Sequence, residues 1–389
     1  MKIIHFADAH IDFGKNMGQV DPTERMAGRV LDCLDMIDSI IDFAEDENVD
    51  LIIFAGDAFH TYNPNPLYVN AFAKRLARMR RICPVFLLVG NHDMSPVTSS
   101  VEIYSSIELD NVIVGSEYKV HIIDTRSGKV QVAAAPYPSR KYKKDIADIV
   151  YHLGDTITDE YPSILVGHFT VSGCQYGAER DFAYTDDSDI PLEILADTVW
   201  DYVALGHIHY HQCLNETPPV VYSGSPDRVT FGEENEDKGF VLVTIDGETK
   251  WEFIQLDARP YKTVEIKTLS SNPMEKIIRK LQSVDLTSKV VRVIIRVKEQ
   301  YLPLIDKRAV AELLEASGTY ILSSLVYYRI TDDVDRSTVR LAEGISSASS
   351  HIELLTAYLD VIGSSPADTK ELVNMAEIIM KEVNDEFSN

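Results

Sequence analysis

Five short polar clusters, each directly after an apolar run, hold the residues of this chain that could do chemistry. They are Asp8-Ala-His10, Gly56-Asp57-Ala-Phe-His60, Gly90-Asn91-His92-Asp93, Gly167-His168 and Gly206-His207-Ile-His209. Each alone is a weak signal, because Asp-x-His arises by chance and one buried histidine is usually a hydrogen-bonded core residue. Together they contain six of the chain's 11 histidines, His10, His60, His92, His168, His207 and His209, beside Asp8, Asp57 and Asn91. Burying so many polar groups without a function would leave hydrogen bonds unmet. Carboxylate, imidazole and amide-oxygen donors without thiolate suit Mn²⁺, Fe²⁺, Zn²⁺ or Mg²⁺. The nitrogen content argues against an all-oxygen Mg²⁺ or Ca²⁺ site. Two divalent ions would outweigh the negative charge of Asp8 and Asp57, and the surplus would hold a phosphate. An oxygen of Asp57 could bridge ions about 4 Å apart, as in two-metal hydrolytic sites, and water between them would be acidic enough to attack phosphorus near neutral pH.

These clusters need elements that deliver them to one place. Up to about residue 255, short apolar runs alternate with helical stripes, the pattern of a layered α/β architecture. Leu51–Ala55, Val85–Val89, Ile164–Val166 and Tyr202–Leu205 read as strands buried on both faces, and Val30, Leu34, Ile37, Ile41 and Ala44 as one face of a helix. In open α/β sheets ligands collect at the carboxyl ends of strands, where all five clusters fall. The runs Val220–Ser223, Phe240–Ile245 and Trp251–Leu256 follow one another with only turns between them, which predicts an antiparallel portion completing a second sheet. Arg259-Pro260 marks a boundary to a small α/β domain of strand, helix, strand, helix, strand, with Asn272 and Pro273 starting its first helix. Two amphipathic helices close the chain. Ser350 and Glu353 start the first and Gly363 stops it, and Ser365-Pro366 starts the second. The reading gives three segments, 1–257, 258–335 and 336–389.

Bulk composition narrows the class. Hydrophobic content of 45% and charged content of 25% are those of a folded globular protein, and no apolar run reaches membrane-helix length. The N-terminus enters a strand-like run with no signal-peptide pattern, so a cytoplasmic location is expected. Cys33, Cys83, Cys174 and Cys213 are scattered and suggest neither disulfides nor a zinc knuckle. The net charge of −24 repels a phosphate backbone, so any DNA contact must be local. It could rest on bound cations, on Arg140-Lys141-Tyr142-Lys143-Lys144, or on a basic partner. That basic cluster reads equally well as a solvated loop.

Asp-x-His, Gly-Asp-x-x-His, Gly-Asn-His-Asp, Gly-His and Gly-His-x-His, in this order, resemble the motifs of the calcineurin-like metallophosphoesterases. Gly167–Gly173, Asp201–His209, Tyr222-Ser-Gly-Ser-Pro226, Phe231-Gly-Glu-Glu and Lys238-Gly narrow the resemblance to the SbcD family, prokaryotic relatives of the meiotic recombination eleven nuclease. It covers most of residues 1–255. It implies a two-sheet sandwich flanked by helices, a small α/β capping domain and a C-terminal helical tail. It further implies that Asp8, His10, Asp57 and His209 hold one ion, that Asp57, Asn91, His168 and His207 hold the other, and that Asp57 bridges them. His92 would orient the phosphate and protonate the leaving oxygen, and His60 would steady the developing charge. For both, support of the ligands is the competing reading. His5, His121, His152, His211 and His351 are expected to be ordinary surface or packing residues.

The resemblance also implies Mn²⁺ as the preferred ion. The implied function is a DNA 3′–5′ exonuclease and endonuclease processing ends in double-strand-break repair. An SbcC-type ABC ATPase with a long coiled coil would bind through residues 340–389, and a homodimer would form through Leu67–Met79 and Val101–Ile107. Residues 341–389 hold nine Asp or Glu against two Lys, which suits a basic coiled-coil base or a solvated face. Two other functions remain open at this level: a phosphodiesterase for small substrates or a phosphoprotein phosphatase, and a metal-stabilised subunit that mainly tethers DNA.

Overall fold

The structure is a computed structural model. It describes residues 1–330 except 96–97, 108, 140–141, 143–144 and 178–189, and beyond them residues 370, 372–373 and 375–376. The first expected terminal helix, and all of the basic cluster but Tyr142, therefore lie outside the described residues; of the second helix only residues 370, 372–373 and 375–376 are described, and these are helical.

The first half alternates β1 (Lys2–Phe6), α1 (Gly28–Asp46), β2 (Leu51–Phe54), α2 (Pro66–Ile82), β3 (Val85–Leu88), α3 (Ile103–Ser106) and β4 (Val112–Gly115). Then follow β5 (Lys119–Thr125), β6 (Gly128–Ala135), α4 (Ile146–Gly154), β7 (Ser163–His168), α5 (Leu192–Leu195), β8 (Tyr202–Gly206), β9 (Gln212–Glu216), β10 (Pro219–Tyr222), β11 (Gly239–Asp246) and β12 (Glu248–Gln255). Two six-stranded sheets result, ordered β12-β11-β1-β2-β3-β4 and β5-β6-β7-β8-β10-β9.

Alternation along each strand builds the layers. Ile4, Phe6, Ile52 and Phe54 turn to α1 and α2, whose Val30, Leu34, Ile37, Ile41 and Phe72 complete one buried cluster. Ile3, Leu51, Ile53 and Phe86 turn the other way and pack on Val132, Ile164, Val166 and Ala204 of the second sheet. The far face of that sheet, with Leu165, Val203 and Leu205, is covered by Ile146 and Val150 of α4 and Leu195 of α5. The order is helix, sheet, sheet, helix. Within it β1, β2 and β3 are mutually parallel, as are β7 and β8. The carboxyl ends of all five carry the polar clusters.

One strand expectation is corrected. The β11–β12 hairpin completes the first sheet, not the second: β11 pairs antiparallel with β1, Ile3 opposite Val243 and His5 opposite Val241. The reason is that β1 has β2 on one side only, and β11 supplies Val241 and Val243 to the same inter-sheet core as Ile3. Of the three runs only Val220–Ser223 joins the second sheet, as β10, parallel to β8 and antiparallel to β9.

After residue 260 come β13 (Tyr261–Thr268), α6 (Pro273–Gln282), β14 (Val290–Lys298), α7 (Lys307–Ala316) and β15 (Ile321–Ile330), the strands forming a three-stranded sheet. The chain divides into two compact units, one of 1–264, 282–293 and 311–325, the other of 265–281, 294–310 and the described residues from 326 onward. Among the described residues no helix is long and apolar enough to cross a membrane.

Candidate metal centre

Where β1 and β2 end, their loops stay paired. Asp8 N donates to Gly56 O at 3.0 Å, His10 N to Asp57 O at 3.1 Å and Ile11 N to Ala58 O at 3.1 Å. This continuation sets Asp8, His10 and Asp57 side by side. Backbone here is unusual, with φ of 56° at Asp8, 44° at His10 and 59° at Asp57, and so it is after β8, with 91° at His207. Left-handed conformations at non-glycine residues cost of order 1–3 kcal/mol each and collect at functional sites. Asp8, His10, Asp57, His168 and His209 are buried, and Asn91, His92, His207 and His60 are half-buried.

Asp57 lies at the middle of the cluster. Its Oδ2 is 3.6 Å from His10 Nε2 on one side and 3.3 Å from His168 Nε2 on the other. Beyond His10, the Nε2 atoms of His10 and His209 approach to 3.0 Å. Beyond His168, Asn91 Oδ1 lies 3.0 Å from His168 Nε2 and 3.0 Å from His207 Nδ1. Asp8 closes the arc by accepting the His207 amide at 3.0 Å. The seven side chains expected as ligands thus come together, in two groups sharing Asp57.

Their supports fix ring orientation. His168 Nδ1–H donates to Ala55 O at 2.7 Å, which turns Nε2 into the site, and His92 Nδ1–H donates to His60 O at 2.9 Å. The His60 and His92 rings stack at 4.9 Å, each also against His10. At Gly90 any Cβ would fall on Asp57, well inside contact distance, so only glycine fits there.

The electrostatics match the crowding. Burial disfavours charge on His168, but Asp57 outweighs it and pushes the imidazole up to about 9. Burial likewise disfavours the Asp57 anion, yet His168 and His10 hold its carboxyl far below the usual range. Burial lowers His10 well below an ordinary imidazole despite Asp57, and raises Asp8 despite His168 and His209. Burial, then His92, lowers His60.

The donor set fits divalent metal. Asp8, His10 and His209 offer ligand atoms all within 4.8 Å of one another, as do Asp8, Asp57 and His168, and as do His10, His60 and His92. Imidazole nitrogens and carboxylate oxygens converging in this way are what a borderline cation requires.

Sequence reasoning assigned no role to four residues that frame this site. Asp93 is fully buried and accepts the amides of Asp57 at 2.9 Å, Gly90 at 3.1 Å and Phe59 at 3.3 Å. Asp12 accepts the His60 amide and the Thr61 hydroxyl. Glu233 lies against His209, and Lys238 against Glu233. For Glu233 the local signal was the Thr230-x-x-Glu233 capping box, which the structure forms. Asp93 stands in the Gly-Asn-His-Asp cluster and Lys238 in the Lys238-Gly pair, though neither motif shows what the side chain touches, and Asp12 carries no distinctive spacing.

Comparison with known proteins agrees with this geometry. The calcineurin-like phosphoesterase family matches residues 1–211. The chain is 28% identical over 271 residues to the SbcD subunit of the SbcCD nuclease of Bacillus subtilis (strain 168), covering 62% of this chain and 66% of that one. It is 28% identical over 273 residues to the protein of the same name from Escherichia coli (strain K12), 63% and 65% of the two chains. With that of Staphylococcus epidermidis it shares 24% over 288 residues, 68% and 72% of the two. The chain thus spans about two thirds of the length of these relatives. Because the family match covers more than half of the chain and contains every cluster described, this protein belongs to the calcineurin-like phosphoesterases.

Proposed function

We propose that this chain is a two-metal phosphodiesterase acting on DNA, the nuclease component of an SbcCD-type complex. The observation that carries the reading is Asp57 Oδ2, set between His10 Nε2 at 3.6 Å and His168 Nε2 at 3.3 Å. On this reading Asp8, His10, Asp57 and His209 hold one ion, and Asp57, Asn91, His168 and His207 the other. Bound there, two Mn²⁺ ions would supply Lewis acidity to a phosphate and to the attacking water. Mg²⁺, Fe²⁺ and Zn²⁺ are the competing ions. The names of the relatives support nuclease activity; that it acts as a 3′–5′ exonuclease and endonuclease at broken ends is part of the proposal.

The protein's own groups supply the rest. His60 O holds His92 by Nδ1, which leaves Nε2 to carry a proton to the leaving oxygen. His60, whose amide is tied to Asp12, packs its ring on His92 and limits that ring's freedom. Residues 1–257 form the nuclease domain and 258–335 the cap. Residues 340–389 bind an SbcC-type ATPase, and a homodimer forms through Leu67–Met79 and Val101–Ile107. These assignments make a cytoplasmic DNA-end-processing enzyme.

The test uses the purified chain with Mn²⁺ on linear duplex and hairpin DNA. Cleavage should fall by about 10²-fold or more in Asp57→Ala and His92→Asn. Equal cleavage by wild type and both variants would overturn the reading. Turnover of cyclic nucleotides or phosphopeptides with DNA untouched would replace it with the small-substrate enzyme.

A further inference from the structure

The carboxylate of Glu233 is fully buried. Its Oε1 accepts the Thr230 amide at 3.0 Å and faces His209 Nδ1 at 3.3 Å. Its Oε2 accepts the Val229 amide at 3.1 Å and pairs with Lys238 Nζ at 2.7 Å. Lys238 is equally buried. Its ammonium donates to Ser225 Oγ at 2.9 Å and to the His209 carbonyl at 3.1 Å, and pairs with Glu236 at 2.9 Å. His209 is therefore held at both ends, its ring by Glu233 and its backbone by Lys238.

We infer that Glu233 is a positioning residue for the metal centre: it fixes the proton of His209 on Nδ1, so that the Nε2 lone pair faces the ion beside His10. An ionised carboxylate has no proton to give, so His209 Nδ1 must be the donor. Lys238 Nζ at 2.7 Å and the amides of Val229 and Thr230 all point hydrogens at the Glu233 oxygens, the surroundings of a carboxylate anion. A carboxylate behind a ligating imidazole raises its basicity and orients its ring, and its loss typically weakens metal binding 10–100-fold. Lys238 balances the buried charge and, through the His209 carbonyl, sets the height of the ring. The inference rests on His209 being a ligand, as proposed above.

The test is a calorimetric titration of chelator-stripped full-length protein with Mn²⁺ at pH 7.5, with wild type, Glu233→Gln and Glu233→Gln/Lys238→Met. Wild type should take up two ions. Glu233→Gln should bind one of them about 10–100-fold more weakly and the other within about 3-fold of wild type. The double variant removes the buried ion pair as a unit, a change proteins often tolerate, and its weakened site should persist. In the metal-free wild type, imidazole ¹⁵N shifts should report His209 protonated on Nδ1. Wild-type affinity in Glu233→Gln overturns the inference. Restored affinity in the double variant also does, because Glu233 would then serve only to neutralise Lys238. Failure of the wild type to bind two ions would instead overturn the ligand reading beneath it.

Discussion

Asp93 accepts the backbone amide of Asp57 at 2.9 Å across 36 positions of sequence, and this bond joins the loop after β3 to the loop after β2. The same oxygen takes the amides of Gly90 at 3.1 Å and Ala58 at 3.4 Å, while the other takes Phe59 N at 3.3 Å and Ser100 Oγ at 3.2 Å. Replacing Asp93 with alanine leaves several buried donors unmet, at about 1–3 kcal/mol each. An asparagine at this position could keep its oxygen on the three-amide side and donate its NH₂ to Ser100 Oγ, losing only the acceptor of the Phe59 amide. Urea unfolding should therefore show Asp93→Ala destabilised by at least about 3 kcal/mol and Asp93→Asn by roughly 1 kcal/mol. Equal losses in the two variants would mean that the acceptor oxygens are not what matters.

Gly90 gives a second test of the same junction. A methyl group there would strike Asp57 from its side chain to its amide, and backbone cannot yield cheaply. Gly90→Ala should cost about 1–3 kcal/mol and weaken Mn²⁺ uptake by displacing Asp57. Gly128→Ala is the control. That residue has φ of 117° with open space around it, so alanine there should lower stability by about 1 kcal/mol and leave uptake unchanged. Identical metal titrations for wild type and Gly90→Ala would refute the displacement.

The clusters were legible because each follows a strand whose period and apolar content are plain, as with Ile52–Phe54 before Asp57 and Leu165–Val166 before His168. The helix over Gly28–Asp46 was legible for the same reason: Val30, Leu34, Ile37, Ile41 and Ala44 are all buried, as their spacing required. The sheet to which β11 belongs was not legible, because strand pairing is a long-range choice and a hairpin reads the same in either sheet. Asp93, Glu233 and Lys238 stand in motifs visible in the sequence, but what they touch was not legible, for a related reason. A carboxylate that accepts amides from a distant loop has no local spacing to betray it, and a buried lysine looks in sequence like any surface lysine.

Arg29 anchors a buried network whose charges are tightly interlocked. Its guanidinium meets Asp32 at 2.8 Å and Asp227 at 2.6 Å, and Arg259 meets the other side of Asp32 at 2.7 Å. Burial opposes charge on Arg29, but Asp227, Tyr261 and Asp32 hold its pKa above the ordinary value. Arg29→Met would strand Asp227 without its partner, so a loss of about 3–5 kcal/mol is expected. Arg259 is more exposed and Asp32 would keep Arg29, so Arg259→Met should cost only about 1 kcal/mol. Chemical denaturation of the two variants ranks them, and a larger loss at Arg259 would reverse this account.

His5 sets how the protein responds to acid. It is fully buried in β1, donating from Nε2 to Leu205 O at 3.2 Å and accepting the Tyr202 hydroxyl on Nδ1 at 2.9 Å. Burial pushes its pKa down to about 3, against the Leu205 carbonyl that would favour the cation. In the unfolded chain the same imidazole titrates near about 6.5. Between those values the unfolded chain binds a proton that the folded chain refuses, so stability is full above about pH 6.5 and drains as the pH falls towards about 3. At pH 4.5 the loss from this one group is about 3 kcal/mol relative to pH 7.5. His5→Gln keeps a donor and an acceptor but cannot take up the proton. In chelator, its stability difference between pH 7.5 and 4.5 should be smaller than that of wild type by about 3 kcal/mol. The other titrating groups are common to both proteins and cancel in the comparison, so parallel pH profiles would show that His5 is already protonated in the folded chain.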